Sequence, residues 1–345
     1  MELLLSIIVP VYNVEKYVRT CLESIFNQGM DDNCFEVIIV NDGTQDKSLE
    51  VIEDIVCEHN NIKVLNQTNQ GVAIARNNGV LAARGEYVIM PDSDDLIVTN
   101  SLKPILDVAV KSKGDIIVAD FLQMTNEEIY DISDRTPLQR REPLDIKEMS
   151  GRDLFLNYLS YNIASVWHML FRRDFLINCG LKFLPGVYFE DLAFTPNCFL
   201  KAEKCVKINR FLNIYRRCPE SLTISKFNNI KAESFCICVK KVWELNADIQ
   251  NDSLLQIKLK NYIFQLFSVL ICFISHSSMG LLERGVIVSN LRKDVANMHF
   301  VNGIKQRIVS FMFWKMPRLY IFMRSIYASL FENNIYPFLR RIKNR

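Results

Sequence analysis

Three aspartates within four residues, Asp92, Asp94 and Asp95, are the first candidates for chemistry in this sequence. They follow the apolar run 87–90, which lies between a glycine and a proline and is typical of a buried parallel strand. Open α/β sheets bind ligands at the carboxyl ends of such strands. Carboxylates this close repel one another, and Mg²⁺ or Mn²⁺, which prefers oxygen ligands, would stabilise them while holding the phosphates of a nucleotide. The same residues also suit an acidic turn with a helix cap, so both interpretations stay open.

A second acidic pair, Glu190 and Asp191, lies much further along the chain. If this pair faces the same cleft, one carboxylate can act as general base on an acceptor hydroxyl. Asp191 also precedes an apolar helical run and would serve as a helix N-cap. One residue can do both.

Three further side chains could either bind a ligand or have an ordinary structural role. Asp42 follows a strand in the sequence NDGT, where its carboxylate can accept a hydrogen bond from the N3 proton of uracil or simply shape a turn. Tyr12 can stack on a base or pack against the protein. Arg76 can reach a diphosphate or remain solvated.

Strand and helix patterns alternate through the first third of the chain, which predicts a mostly parallel sheet with helices on both faces. The loops 10–13, 41–44 and 92–95 each follow an apolar strand, so we expect them at one edge of the sheet. The small-residue segment GVAIARNNGVLAARG predicts a helix that can approach the sheet closely. The glycine fingerprints of dinucleotide-binding and P-loop proteins are absent, so nucleotide binding must use other groups.

The second half of the chain is less regular at first and then helical. Residues 123–147 are polar and are predicted to be irregular, whereas the pattern beyond Phe227 is helical almost to the end. The apolar segment Tyr262–Ile274 is too short to span a bilayer and is predicted to be a buried or interfacial helix.

Composition indicates an ordinary globular protein. The 345 residues suffice for one large domain with an appendage or for two domains. Ten cysteines without a CxxC pair and four scattered histidines argue against a zinc site and for reduced core cysteines in a cytosolic protein. The first ten residues, MELLLSIIVP, do not resemble a signal peptide.

Charge is unevenly distributed along the chain. Residues 301–345 contain nine Lys or Arg and the single acid Glu332, a local charge of +8 in a chain of net charge +2. Aromatic residues interleave with these bases, which favours a segment lying on an anionic membrane surface. The alternative is a helix packed on the body with solvated charges. No nucleic-acid-binding motif accompanies the basic residues, so nucleic acid is not expected as a partner.

Six blocks taken in order closely resemble a bacterial family 2 glycosyltransferase of the GT-A fold, and the resemblance covers about residues 3–225. The blocks are LSIIVPVYNVEKYVRTCLESIFNQ, EVIIVNDGTQDKSLEVI, NQGVAIARNNGVLAARGEYVIMPDSDD, VWHMLFRRDFL, VYFEDLAF and NIYRRCPESLTIS. The resemblance implies inverting, metal-dependent transfer of a hexosyl or N-acetylhexosaminyl group from a nucleotide-diphosphate donor, most often a UDP-sugar, to a hydroxyl of a growing glycan.

The resemblance also assigns roles to residues. It places Pro10, Tyr12 and Asp42 in the nucleoside pocket and Arg76 near the diphosphate. Asp92 and Asp94 become the DxD pair that holds Mg²⁺ or Mn²⁺, with Asp92 towards the ribose and with Ser93 and Asp95 beside them. Asp191 becomes the catalytic base, supported by Glu190. Two further residues are predicted donor or acceptor contacts: His168, where many relatives have lysine, and Arg216.

The resulting prediction is an α/β protein of the GT-A type, with a Rossmann-like, mostly parallel sheet flanked by helices and a helical C-terminal region. We expect residues 1–122 to bind the nucleotide-sugar, 123–225 to supply the acceptor side and the base, and 226–345 to form helices with a membrane-associating tail. The expected role is synthesis of a cell-surface polysaccharide (capsule, O-antigen or exopolysaccharide) on a glycan or lipid-linked acceptor, at the inner face of the cell membrane. The alternatives are a nonenzymatic sugar-nucleotide or glycan-binding protein and a nucleotidyltransferase.

Overall fold

The structure is a computed structural model that describes residues 3–132, 143–217, 227–276 and 280–294. The chain forms two compact units. The first comprises Met1–Gly186 with Glu190–Pro219, and the second comprises Val187–Phe189 with Glu220–Arg345. The basic tail predicted at 301–345 lies outside the described residues.

A single mixed sheet forms the centre of the first unit, in the order β3-β2-β1-β4-β8-β6-β9-β5, with β7 pairing on β9. Strands β3, β2, β1 and β4 run parallel, and the antiparallel strand β8 joins them to β6. The strands are β1 (Leu5–Val11), β2 (Phe35–Asn41), β3 (Ile62–Asn66), β4 (Tyr87–Ile89), β5 (Leu96–Ile97), β6 (Ile116–Thr125), β7 (Ile146–Met149), β8 (Met169–Arg172) and β9 (Cys205–Arg217). The predicted α/β fold with a largely parallel first half is confirmed.

Eight helices within the described part of the first unit flank this sheet. They are α1 (Val18–Phe26), α2 (Glu53–Glu58), α3 (Val72–Ala82), α4 (Leu102–Ser112), α5 (Asn126–Ile132), α6 (Gly151–Tyr158), α7 (Arg173–Asn178) and α8 (Asp191–Lys201). Helix α3 packs on β1 and β2. It comes so close that a Cβ added to Gly79 would lie 2.2 Å from Cγ2 of Ile8. The small residues of α3 therefore bring its polar side chains close to the sheet edge.

The apolar residues of the strands and helices pack together in the core, at the positions that their spacing predicts. In β1 and β2, nearly every residue is buried because helices or neighbouring strands cover both faces. Helix α1 turns Val18, Cys21, Leu22 and Ile25 to the core. At about 25 cal/mol per Å² of buried apolar surface, such residues supply most of the folding free energy.

Part of the region predicted to be irregular is ordered. Strand β6 continues to Thr125, α5 follows it, and β7 then pairs antiparallel with β9, so the prediction for 123–147 is wrong over those stretches. Long-range pairing with β9 extends β6 through residues 123–125, whose own types do not specify a strand.

The second unit contains α9 (Asn229–Glu244), α10 (Ser253–His276) and α11 (Leu281–Asp294), and both α10 and α11 contact α9. Helix α10 is much longer than the apolar segment from which it was predicted. Its stretch Ser253–Ile274 has mean hydropathy 1.5 and is long and apolar enough to cross a membrane, so the prediction that it is too short is wrong. Only 44% of the most apolar window is buried, and a core helix of a soluble protein can have the same length and composition.

Candidate active site

The acidic loop 92–95 connects β4 to β5 at the carboxyl edge of the parallel strands. The backbone N–H of Asp95 donates to the carbonyl of Asp92 at 3.1 Å, which closes a tight turn. Ser93 and Asp95 are buried, while Asp92 and Asp94 are partly exposed. The turn thus presents two carboxylates outward and keeps the third beneath them.

Arg216, on β9, holds this loop in place through hydrogen bonds. Its backbone N–H donates to Oδ1 of Asp95 at 2.8 Å, and its Nε donates to the carbonyl of Asp94 at 2.7 Å. Its other nitrogens donate to Asn126 and Thr20, and only 3% of the residue is exposed. Arg216 was predicted to contact donor or acceptor, and that contact stays a prediction; the structure shows a buried side chain engaged in holding the loop.

The three carboxylates fit a divalent cation. Oxygen atoms of Asp92, Asp94 and Asp95 lie within 4.8 Å of one another, and Oδ2 of Asp95 is buried without a hydrogen-bond partner in the described part of the chain. Burial raises the pKa of Asp94 to about 6 and the pKa of Asp95 well above its usual range, and the charges of neighbouring aspartates add to both shifts. Hard oxygen ligands crowded in this way would be stabilised by Mg²⁺ or Mn²⁺. The cluster includes Asp95, as the spacing of the three aspartates predicted, whereas the family resemblance assigned the metal to Asp92 and Asp94 alone.

Arg76 connects the two acidic motifs. Its Nη2 donates to Asp92 and its Nη1 to Glu190, and the side chain is only 5% exposed. Its Nε is buried without a partner among the described residues. The predicted contact with a diphosphate stays a prediction; both terminal nitrogens bind carboxylates in the structure.

Glu190 and Asp191 stand at the N-terminus of α8. No side-chain hydrogen bond caps this helix at Glu190, and Asp191 is its first residue. Burial raises the pKa of Asp191 to about 7; the charge of Glu190 raises it further, whereas Arg76 opposes the shift. A carboxyl with a pKa near neutrality is suited to accept a proton from a hydroxyl.

The nucleoside-pocket candidates lie at the ends of β1 and β2. Pro10 is buried in β1 and Tyr12, just beyond it, is 43% exposed. Asp42 is 3% exposed and binds the loop before α3: its Oδ1 accepts from Nε2 of Gln67 and N–H of Gln70, and its Oδ2 accepts from N–H of Gly71. Asp42 therefore orders the loop, and its predicted contact with uracil stays a prediction.

His168 lies in the core beside aromatic rings. It is fully buried, 5.3 Å from the ring of Phe121 and 5.0 Å from that of Trp167, and neither ring nitrogen has a partner in the described residues. Burial, with the charge of Lys207 adding, lowers the pKa of His168 to about 3, so the imidazole is neutral. This position gives no support to the predicted contact with donor or acceptor.

Sequence patterns did not indicate several contacts that shape the site. The backbone carbonyl of Asp92 accepts from Sγ of Cys21 at 3.6 Å, and Thr20 and Asn126 accept from Arg216. These partners are far from the acidic loop in sequence. Only the arginine in the YRR block gave a signal, through the family resemblance.

Comparison with known proteins gives consistent results. The profile of the family described as Glycosyl transferase family 2 matches residues 6–176. The chain is 34% identical over 221 residues to "Uncharacterized glycosyltransferase EpsJ" of Bacillus subtilis (strain 168), covering 64% of this chain and 63% of that protein. It is 30% identical over 239 residues to "Glycosyltransferase GlyG" of Streptococcus pneumoniae serotype 4, covering 66% of this chain and 75% of that protein.

Solved structures share the fold. The S. aureus TarS fragment 1–349 in complex with UDP-GlcNAc superposes with a TM-score of 0.67 at 21% identity, covering 94% of this chain and 88% of that one. At this identity the similarity establishes the fold alone.

Proposed function

Because the chain belongs to glycosyl transferase family 2, we propose that it transfers a sugar from a nucleotide-diphosphate donor to a hydroxyl group, with inversion at the anomeric carbon. The observation that carries this proposal is the bridge made by Arg76. It brings Asp92 of the donor-side motif and Glu190 of the base-side motif to one guanidinium, and a displacement reaction requires the donor and the base to be held close together.

The two motifs have separate tasks in this proposal. Asp92 and Asp94, with Asp95, would hold the divalent cation, which when bound supplies charge neutralisation for the departing diphosphate. Asp191 accepts the proton of the acceptor hydroxyl. The hydroxyl oxygen then forms a bond to the anomeric carbon, and the bond from that carbon to the diphosphate oxygen breaks, leaving its electron pair on the nucleoside diphosphate. A covalent sugar–enzyme intermediate is not needed.

We propose a UDP-sugar as donor, carrying a hexosyl or N-acetylhexosaminyl group. The support is the complex of the TarS fragment with UDP-GlcNAc, whose fold this chain shares. The acceptor in this proposal is a glycan or lipid-linked glycan of a cell-surface polysaccharide, used at the inner face of the cell membrane. The charge of residues 301–345 supports a location at an anionic surface.

Calorimetric titration tests the donor site directly. The protein is titrated with UDP-glucose, UDP-galactose, UDP-N-acetylglucosamine and GDP-mannose, each with and without manganese. We expect one UDP-sugar to bind in a manganese-dependent way, and we expect Asp94→Ala to abolish that dependence. If none of the four binds, the donor assignment is overturned, and the alternative of a nonenzymatic glycan-binding protein gains support.

Transfer itself separates an enzyme from a binding protein. Release of UDP in the presence of acceptor glycans should require Asp191, so Asp191→Asn should keep donor binding and lose transfer. Transfer by Asp191→Asn at the wild-type rate would exclude Asp191 as the base. Release of a sugar 1-phosphate instead of UDP would indicate a nucleotidyltransferase, because transfer of the uridylyl group leaves the second phosphate on the sugar.

A further inference from the structure

Arg76 is buried and paired with two carboxylates, which indicates a structural role in addition to any contact with substrate. Its side chain is 5% exposed, the side chain of Glu190 is 7% exposed and that of Asp92 is 32% exposed. A buried charge is costly unless it is paired, and removing one partner leaves the other uncompensated. The guanidinium and Glu190 therefore depend on each other, whereas Asp92 keeps part of its contact with solvent.

We propose that Arg76 is a positioning residue: it orients Glu190, and through it Asp191, for proton transfer. This inference rests on the proposed function, in which Asp191 is the base. It differs from the predicted role of Arg76 at the diphosphate, because it places the main effect of the side chain on the rate of transfer and not on donor affinity.

The residue next to Arg76 fixes the same region of the chain. Asn77 donates from Nδ2 to the carbonyl of Phe183 and accepts at Oδ1 from its N–H, both at 2.9 Å. The ring of Phe183 stacks on Phe194 of α8, with centroids 3.8 Å apart and planes 14° from parallel. The Arg76 guanidinium lies 5.4 Å from the Phe183 ring. Helix α3 is thus connected through Phe183 to the first turn of the helix that begins with Asp191.

Arginine suits this position better than lysine. Its planar fork directs one terminal nitrogen to each of two carboxylates, Asp92 and Glu190. A lysine ammonium carries the same charge but lacks the fixed directions of the fork. Arg76→Lys should therefore restore part of what Arg76→Ala loses, because it restores the positive charge between the two carboxylates.

The test compares Arg76→Ala, Arg76→Lys, Glu190→Gln and the double variant Arg76→Ala/Glu190→Gln in the full chain. A displacement of about 1 Å in a catalytic group can lower the rate about 100-fold, so we expect Arg76→Ala to lower kcat by about that factor. The accompanying loss of donor affinity, measured by calorimetry, should be at least about tenfold smaller than the loss of kcat. The double variant should be little worse than either single one, because both remove the same unit.

Arg84→Ala is the matched control. Arg84 pairs with the buried carboxylate of Glu36 away from the acidic motifs, so its removal also deprives a buried acid of its charged partner. It should lower the thermal unfolding temperature and leave kcat unchanged. If Arg76→Ala fails to fold, Arg76→Lys and Glu190→Gln carry the same comparison.

Two outcomes would overturn the inference. One is a rise in the donor dissociation constant of Arg76→Ala with kcat retained, which would make Arg76 a donor ligand. The other is strictly additive loss in the double variant. Failure of the proposed function would look different: Asp191→Asn would then transfer sugar normally, whatever Arg76 does.

Discussion

At the scale of single residues, Asp191 sets the pH dependence of transfer. Its pKa is about 7 because of burial and the charge of Glu190, and Arg76 and Asp92 are the other charges that act on it. The base must be ionised, so below about pH 7 the rate at saturating donor should fall about tenfold per pH unit, and above it the rate should level off. Rates from about pH 5.5 to about 9, with the donor dissociation constant measured at each pH, check this.

Glu190→Gln supplies the control for this assignment. It removes the neighbouring negative charge that raises the pKa of Asp191, so the rising limb of any residual activity should move to lower pH. A profile that is flat through pH 7 at saturating donor would show that Asp191 does not titrate in the step that limits the rate.

The acidic residues of the site could be identified from the sequence because each motif is a short contiguous segment. Asp92, Asp94 and Asp95 follow a strand in sequence, and parallel strands end at one edge, so their location could be predicted from pattern alone. The contacts of Arg76 could not, since Glu190 is 114 positions away and only the folded chain brings the two together. Their proximity is now a structural fact, whereas their catalytic roles stay predictions.

At the scale of elements, the closeness of α3 to the sheet is what places Arg76. A Cβ on Gly79 would lie 2.2 Å from Cγ2 and 3.3 Å from Cβ of Ile8, inside a fully buried strand. Gly79→Ala should therefore destabilise the fold by about 1–3 kcal/mol, the usual cost of overpacking. Thermal or urea unfolding measures this change.

Gly285, in a helix with free space around this position, is the control. Gly285 of α11 has no heavy atom within 4 Å of an added Cβ, so Gly285→Ala should stabilise its helix by about 0.5–1 kcal/mol. A stabilising or neutral Gly79→Ala would show that α3 can move away from β1 without cost.

Element boundaries were less predictable than element types. Asparagine is a preferred helix N-cap, so Asn13 would suggest a helix starting beside it. It adopts a left-handed φ of 52° and binds Thr44 and Gln45 instead, and α1 begins later, at Val18. Helix α10 begins nine residues before the apolar run, where Lys258 and Lys260 interrupt the hydrophobic pattern. In both cases, tertiary contacts override the local signal.

At the scale of the whole molecule, the predicted site residues are not shared between the two units. The first unit contains every predicted site residue from Pro10 to Arg216. The second contributes three described helices, and the chain spans 63% of EpsJ and 75% of GlyG. The family profile matches residues 6–176, all in the first unit, so the role of the C-terminal region needs its own experiment.

Truncation after Gly303 tests whether the C-terminal region binds membranes. It removes the segment with nine bases and one acid except for its first three residues, none of which is charged. A basic residue near an anionic surface contributes about 1 kcal/mol, so the full chain should sediment with phosphatidylserine vesicles and be released by salt, and the truncated chain should not bind. Phosphatidylcholine vesicles are the control for charge, and unchanged donor affinity is the control for folding. If the truncated chain still sediments with both kinds of vesicle, the basic tail is not the anchor, and the length and apolar composition of α10 make that helix the next segment to test.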